Sequence, residues 1–187
     1  IFVITSHSLY YNVAKALGLD RMHYVSPAFL KSYLAYPDFP VDVVGPAGIA
    51  DTLTRGMAFK ITVSKDGLAD INVKNHKNKT IAKASDVKLP YVVKTDIGDF
   101  TVKETPSFPK GEKVKTLITV GSYDGAAEQL TREVIADLAS KKSNVITLQL
   151  NTPNTDYGSD VLNKILEKYN ERGIYEKNLQ GKKTATF

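Results

Sequence analysis

Apolar residues recur at every second position through "FKITVSKDGLADINVKN". Phe59, Ile61 and Val63 alternate with Lys60, Thr62 and Ser64, and beyond "SKDG" Ala69, Ile71 and Val73 alternate with Asp70, Asn72 and Lys74. A period of two puts one side of each strand in a core and the other in water, so the stretch predicts an antiparallel hairpin. "YVVKT" and "DFTVKET" give a second pair of the same kind. No helical spacing occurs between residues 57 and 105, which are therefore expected to be an all-β insertion.

The flanks read differently. "IFVIT" is a continuous apolar run, as in a buried parallel strand. "SLYYNVAKALG" follows, with Ser8 as cap, Leu9, Val13 and Leu17 at helical spacing and Gly18 as the stop. "MHYV" predicts a strand, "SPAFLKSYLAY" a helix with Ser26 at its cap and Pro27 in its first turn, "VDVVG" a strand, and "PAGIADTLTRG" a short helix ending at Gly56. "PSFPKGEKV" (106–114) is the expected linker back. "KTLITV" and "NVITLQL" then read as buried strands. Leu130, Val134, Ile135 and Leu138 mark a helix over 125–142. Ser159 caps a second helix, carrying Val161, Leu162, Ile165, Leu166 and Tyr169 and stopping near Gly173, and "TATF" reads as a last strand. Strand–helix alternation predicts an α/β fold: a mostly parallel, Rossmann-like (flavodoxin-like) three-layer sheet from residues 1–56 and 115–187, with the antiparallel insertion at 57–105.

Composition narrows the function. The 187 residues are 42% hydrophobic and 24% charged, an ordinary globular balance, and no run approaches the apolar length of a membrane helix. Absence of cysteine removes disulfides, thiolate metal sites and cysteine nucleophiles. The net charge of +5 is concentrated in residues 57–115, which hold twelve Lys against seven Asp and Glu. Arginine is scarce there and no aromatic residues interleave with the lysines, so a solvated basic sheet face is expected rather than a nucleic-acid surface. Strand-like sequence at Ile1 and at "TATF" suggests a piece of a longer polypeptide or a mature form. "NKT" at Asn78 is a glycosylation sequon on a hairpin turn, meaningful in an exported protein.

Three turns follow strands: "TSHS" (5–8), "GPAG" (45–48) and "GSYDG" (121–125). In an open parallel sheet all three would share the carboxyl edge, where helix N-termini favour anions. The outline of "VGSYDGAAEQL" is similar to the phosphate loop of flavodoxins, and the resemblance implies FMN. Ser122 and Gly125 match that loop in kind, while Asp124, Ala126 and Ala127 stand where it has hydroxyl and amide donors; Asp124 reads as a helix cap. A phosphate-bearing ligand, FMN or a nucleotide, would thus meet Thr5, Ser6, Ser8, Ser122 and Gly125. His7 between serines lacks the spatially separate base and orienting group that a nucleophile needs, and there is no G-x-S-x-G elbow. Asp156 and Asp160 read as capping acids rather than cation ligands. No catalytic or metal residue is assigned. The expectation is a non-catalytic structural or assembly module of surface-layer, cell-wall-attached or virion type. It would make contacts with copies of itself or other structural proteins through residues 57–105, in an extracellular, cell-surface or virion setting. The alternative is a Rossmann-like domain or enzyme holding the phosphorylated ligand.

Overall fold

The computed structural model describes residues 4–27, 31–138 and 145–184, with side chains as far as residue 176. The chain runs α1 (His7–Leu17), β1 (Arg21–Val25), β2 (Tyr33–Leu34), β3 (Val41–Val44), α2 (Ile49–Thr52), β4 (Met57–Val63) and β5 (Leu68–Asn75). It continues through β6 (Thr80–Lys88), β7 (Tyr91–Thr95), β8 (Gly98–Glu104), β9 (Val114–Val120) and α3 (Tyr123–Glu133). The last elements are β10 (Val134–Leu138), β11 (Ile146–Leu150) and α4 (Thr155–Thr184). Two units result: residues 19–123, and residues 1–18 together with 124–187.

The parallel Rossmann-like sheet predicted from the sequence is not what forms. All three sheets are antiparallel: β2-β1-β9-β4-β5-β6, β3-β8-β7 and β10-β11. The physical reasons sit in the connections and in β9. The helix predicted over "SPAFLKSYLAY" is absent at its described end, where Tyr33–Leu34 instead pairs back on β1 (Tyr24↔Leu34, Val25↔Tyr33). That segment cannot carry the chain over a sheet face, as a parallel crossover must. β9 looked like a continuous apolar run, yet it alternates: Val114, Thr116, Ile118 and Val120 are buried, while Lys115, Leu117 and Thr119 face outward. Thr116 passes as core because its hydroxyl donates to the Tyr24 carbonyl at 3.0 Å.

Within residues 19–123 the six-stranded and three-stranded sheets bury one core. Its members include Phe59, Ile61, Val63, Ile71 and Val73 from the β4–β5 hairpin, Ile118 from β9, and Val41, Val43, Phe100 and Val102 from the smaller sheet. Phe59 and Phe100 meet across it with ring centroids 5.5 Å apart. The β4–β5 register (Phe59↔Val73, Ile61↔Ile71, Val63↔Ala69) puts the alternating apolar residues on that core.

Two glycines are needed for different reasons. Gly67 closes the β4–β5 turn at φ +79 with open space around it, whereas Gly98 has φ +133 and a Cβ there would lie 2.5 Å from Pro46 Cγ. Gly98→Ala is therefore expected to cost about 2–3 kcal/mol and Gly67→Ala about 1 kcal/mol, the difference being the steric overlap. Urea midpoints of the two variants check the order, and equal losses would contradict it.

In the other unit α1 packs against α4. Ser6, not Ser8, is the N-cap residue of α1, and Gly18 ends the helix in the left-handed region at φ +65. The helix predicted over 125–142 stops at Glu133 and gives way to β10, paired with β11 from Val134↔Leu150 to Leu138↔Ile146. Leu130 and Val134 are buried, but Ile135 and Leu138 are 53% and 45% exposed, so the four never form a single stripe. α4 begins at Thr155, where Asn154 Oδ1 accepts the Tyr157 N–H at 2.8 Å; Ser159 lies inside the helix, and Gly173 does not end it. Ile4 and Thr5 form a turn. The rest of the "IFVIT" strand, and "TATF" beyond Thr184, lie outside the described residues. Among the described residues no helix is long and apolar enough to cross a membrane.

Candidate functional site

Among the described residues no parallel sheet gives the three turns a shared carboxyl edge: "GPAG" follows β3 of the three-stranded sheet, "GSYDG" follows β9 of the six-stranded one, and the strand expected before "TSHS" lies largely outside the described residues. Thr5 sits in the turn before α1. Ser6 caps that helix with its main chain only: its carbonyl accepts Leu9 N–H at 3.0 Å, while its buried Oγ has no partner. Ser8 lies in the first turn of α1 and accepts from Arg172 Nη1 at 3.4 Å. Ser122 precedes α3, and Gly125 is its third residue. "TSHS" and "GSYDG" do share one contact, His7 Nε2 to Asp124 Oδ1 at 3.2 Å, with the two side chains 48% and 65% exposed. Asp124 thus stands inside the first turn of α3 as the partner of His7. So exposed a pair is screened by solvent and contributes little to stability.

A second cluster went unnoticed in the sequence. Arg21 and His23 lie on the inner side of β1, and Asp42 of β3 faces both. Arg21 Nη1 donates to both Asp42 oxygens and to the Val43 carbonyl, each at 2.9 Å. His23 Nε2 lies 2.9 Å from Asp42 Oδ1; a carboxylate only accepts, so this nitrogen carries the proton. The Val43 N–H adds a bond of 2.8 Å, and Phe39 stacks on the His23 ring at 3.5 Å. Desolvation pushes the Asp42 carboxyl up, but the His23 hydrogen bond, the Arg21 and His23 charges and the Val43 N–H together hold it below the usual aspartate value. Asp20 behaves oppositely: burial raises it, and Arg21 and its own backbone N–H offset this only in part. Its Oδ1 is buried without a partner. The cluster resembles a catalytic His–Asp pair in composition only. Every polar atom that it aims at Asp42 is used in joining the two sheets, and the ring face of His23 is covered.

The accessible chemistry lies on the outer face of the six-stranded sheet. Cross-strand registers set Tyr24, Leu117, Lys60, Asn72 and Lys83 in one row over five strands. The adjacent row holds Lys115, Thr62 and Asp70. Lys60 and Lys115 are diagonal neighbours, about 7–8 Å apart by strand geometry. Leu117 between them is 38% exposed. A cleft of about 720 Å³ opens here, lined by Tyr24, Ser26, Lys60, Thr62, Lys115 and Leu117. Among the described residues no carboxylate holds Lys60, Lys83 or Lys115. The sequence signalled the outward lysines of β4 and β5, but not the register that sets Tyr24 and Leu117 beside them.

No protein-family model matches the chain, and a search of curated proteins returns no match.

Proposed function

We propose that this chain is a structural or assembly module of a larger polypeptide, of surface-layer, cell-wall-attached or virion kind. The observation that supports it is the free end of the six-stranded sheet. β6 is nine residues long, and among the described residues no strand pairs with its outer side. Such an edge presents backbone N–H and C=O groups to another chain. Lys83 and Lys88 discourage indiscriminate pairing, as does the irregularity at Ser85 and Asp86, where the register passes from Ala84↔Ile71 to Val87↔Ala69 and Asp86 has φ +53. A partner must therefore match the edge, which makes it selective.

In sedimentation velocity the chain is expected to associate reversibly with itself as concentration rises. Ser85→Pro is the informative variant. Ser85 has no register partner on β5, so proline there spares the existing ladder while removing an N–H and obstructing the edge. The variant should keep the wild-type urea midpoint and remain monomeric. A wild-type chain that is monomeric at every concentration, or a variant that associates equally well, overturns the reading.

A further inference from the structure

We infer that the outer face of the six-stranded sheet is a binding site for an acidic, extended polypeptide segment with an apolar side chain among its carboxylates. The inference concerns the sheet face and stands apart from pairing along β6. The cleft holds two exposed lysines, Lys60 and Lys115, placed diagonally around Leu117. Among the described residues neither lysine forms a salt bridge; Asp70, diagonal to Lys60 on β5, accepts the Asp86 N–H at 3.2 Å instead. The same row carries a third lysine, Lys83, two strands beyond Lys60. From Tyr24 to Lys83 the row crosses four interstrand gaps of about 4.8 Å, roughly 19 Å in all, the length of about six extended residues.

Chemistry decides between anions. A nucleic-acid strand would call for stacking rings spaced along the basic track and for arginine forks on phosphates. Among the described residues the row offers one ring, Tyr24, at one end, and its cations are all lysines. At its centre is an aliphatic side chain that gains from covering by another apolar group but not from a phosphate. Thr62 and Ser26 add hydroxyls at the margin of the cleft, able to serve peptide carbonyls or carboxylates. Acidic side chains flanking a leucine or phenylalanine fit lysines flanking Leu117.

The experiment uses the full chain and a fluorescein-labelled peptide of glutamates with one central phenylalanine, read by anisotropy at low and physiological salt. Binding is expected, weakening as salt rises. Lys60→Glu with Lys115→Glu should reduce affinity on the order of tenfold or more, since attraction becomes repulsion at both positions. Leu117→Ser should reduce it several-fold, and should have no effect on an all-glutamate peptide. Lys60 and Lys115 are exposed, so the double variant should keep its thermal unfolding as the control for folding; for Leu117, 38% exposed, the unchanged binding of the all-glutamate peptide serves as the control. Undiminished binding by the double variant overturns the site. Equal or tighter binding of a single-stranded oligonucleotide of the same charge, lost in the same variant, overturns the assignment to an acidic peptide and makes the face a general polyanion surface. Absence of peptide binding at low salt overturns the inference while leaving self-association through β6 untouched.

Discussion

Asp42→Ala is expected to lower the unfolding free energy by about 3 kcal/mol, measured by urea denaturation near neutral pH. Removing the carboxylate leaves Arg21 Nη1 with only the Val43 carbonyl and His23 Nε2 with no acceptor, on a largely buried side of β1. Stranding one half of such a cluster costs more than the intact cluster contributes, because the desolvated partners keep their penalty and lose their compensation. The same substitution should change how stability responds to acid. The folded Asp42 carboxyl lies below its usual value of about 3.9, so it takes up a proton less readily when folded than when unfolded. Its contribution is complete above that value and is lost as pH falls through the folded one. Asp20, raised by burial, runs the other way: its contribution is present below the usual value and lost as pH rises through the folded one. Wild-type stability should therefore fall below pH of about 4, and the variant should show a shallower fall, since the opposing group remains. A loss under 1 kcal/mol with an unchanged acid limb would mean that the network is decorative.

Deleting residues 58–104 behind a short Gly/Ser bridge is expected to abolish folding of the unit spanning residues 19–123. β4 is bonded to β9 on one side and β5 on the other, from Met57↔Val120 to Val63↔Val114 and from Met57↔Asn75 to Val63↔Ala69. The deletion takes Phe59, Ile61, Val63, Ile71, Val73 and Phe100 from the core and leaves β9 with β1 as its only neighbour. A single Phe→Ala change in such a core costs about 3–5 kcal/mol, a large share of a typical domain's stability. Far- and near-ultraviolet circular dichroism of the deletion protein should show loss of sheet signal and of fixed aromatic packing. A cooperative unfolding transition retained by the β1 and β9 strands would contradict the shared core.

The two hairpins β4–β5 and β7–β8 were legible because their strands are adjacent in sequence and half-exposed, so the period of two is written directly into residues such as Ile61, Lys60, Ile71 and Asn72. β6 was not legible. It lies at the edge of its sheet with a break in register, and neither of its sides is consistently apolar. β1 was legible as a strand in "MHYV", but its inner side was not: it turns Arg21 and His23 inward, and only the distant Asp42 makes that tolerable. The parallel reading failed at pairings such as Ile118 with His23, which no local pattern encodes. The candidate cleft fails to show in the sequence for the same cause. Lys60 stands out as an outward residue, but Leu117 and Tyr24 join it only once three strands far apart in the chain are set in register.

The placement of β9 between β1 and β4 has a consequence for the order in which the molecule can form during synthesis. The β4–β5 and β7–β8 hairpins can close while the ribosome is still adding residues, since each needs only local loop closure. β1 must wait: its long-range partner emerges some ninety residues later, and the insertion of β9 converts separate ribbons into one continuous sheet. The other unit waits longer, because α1 emerges well before the α4 helix it packs against. Until then the apolar side of α1, with Leu9, Tyr10 and Val13, has no finished surface to cover it, and a nascent chain stalled before α4 would offer that side to chaperones.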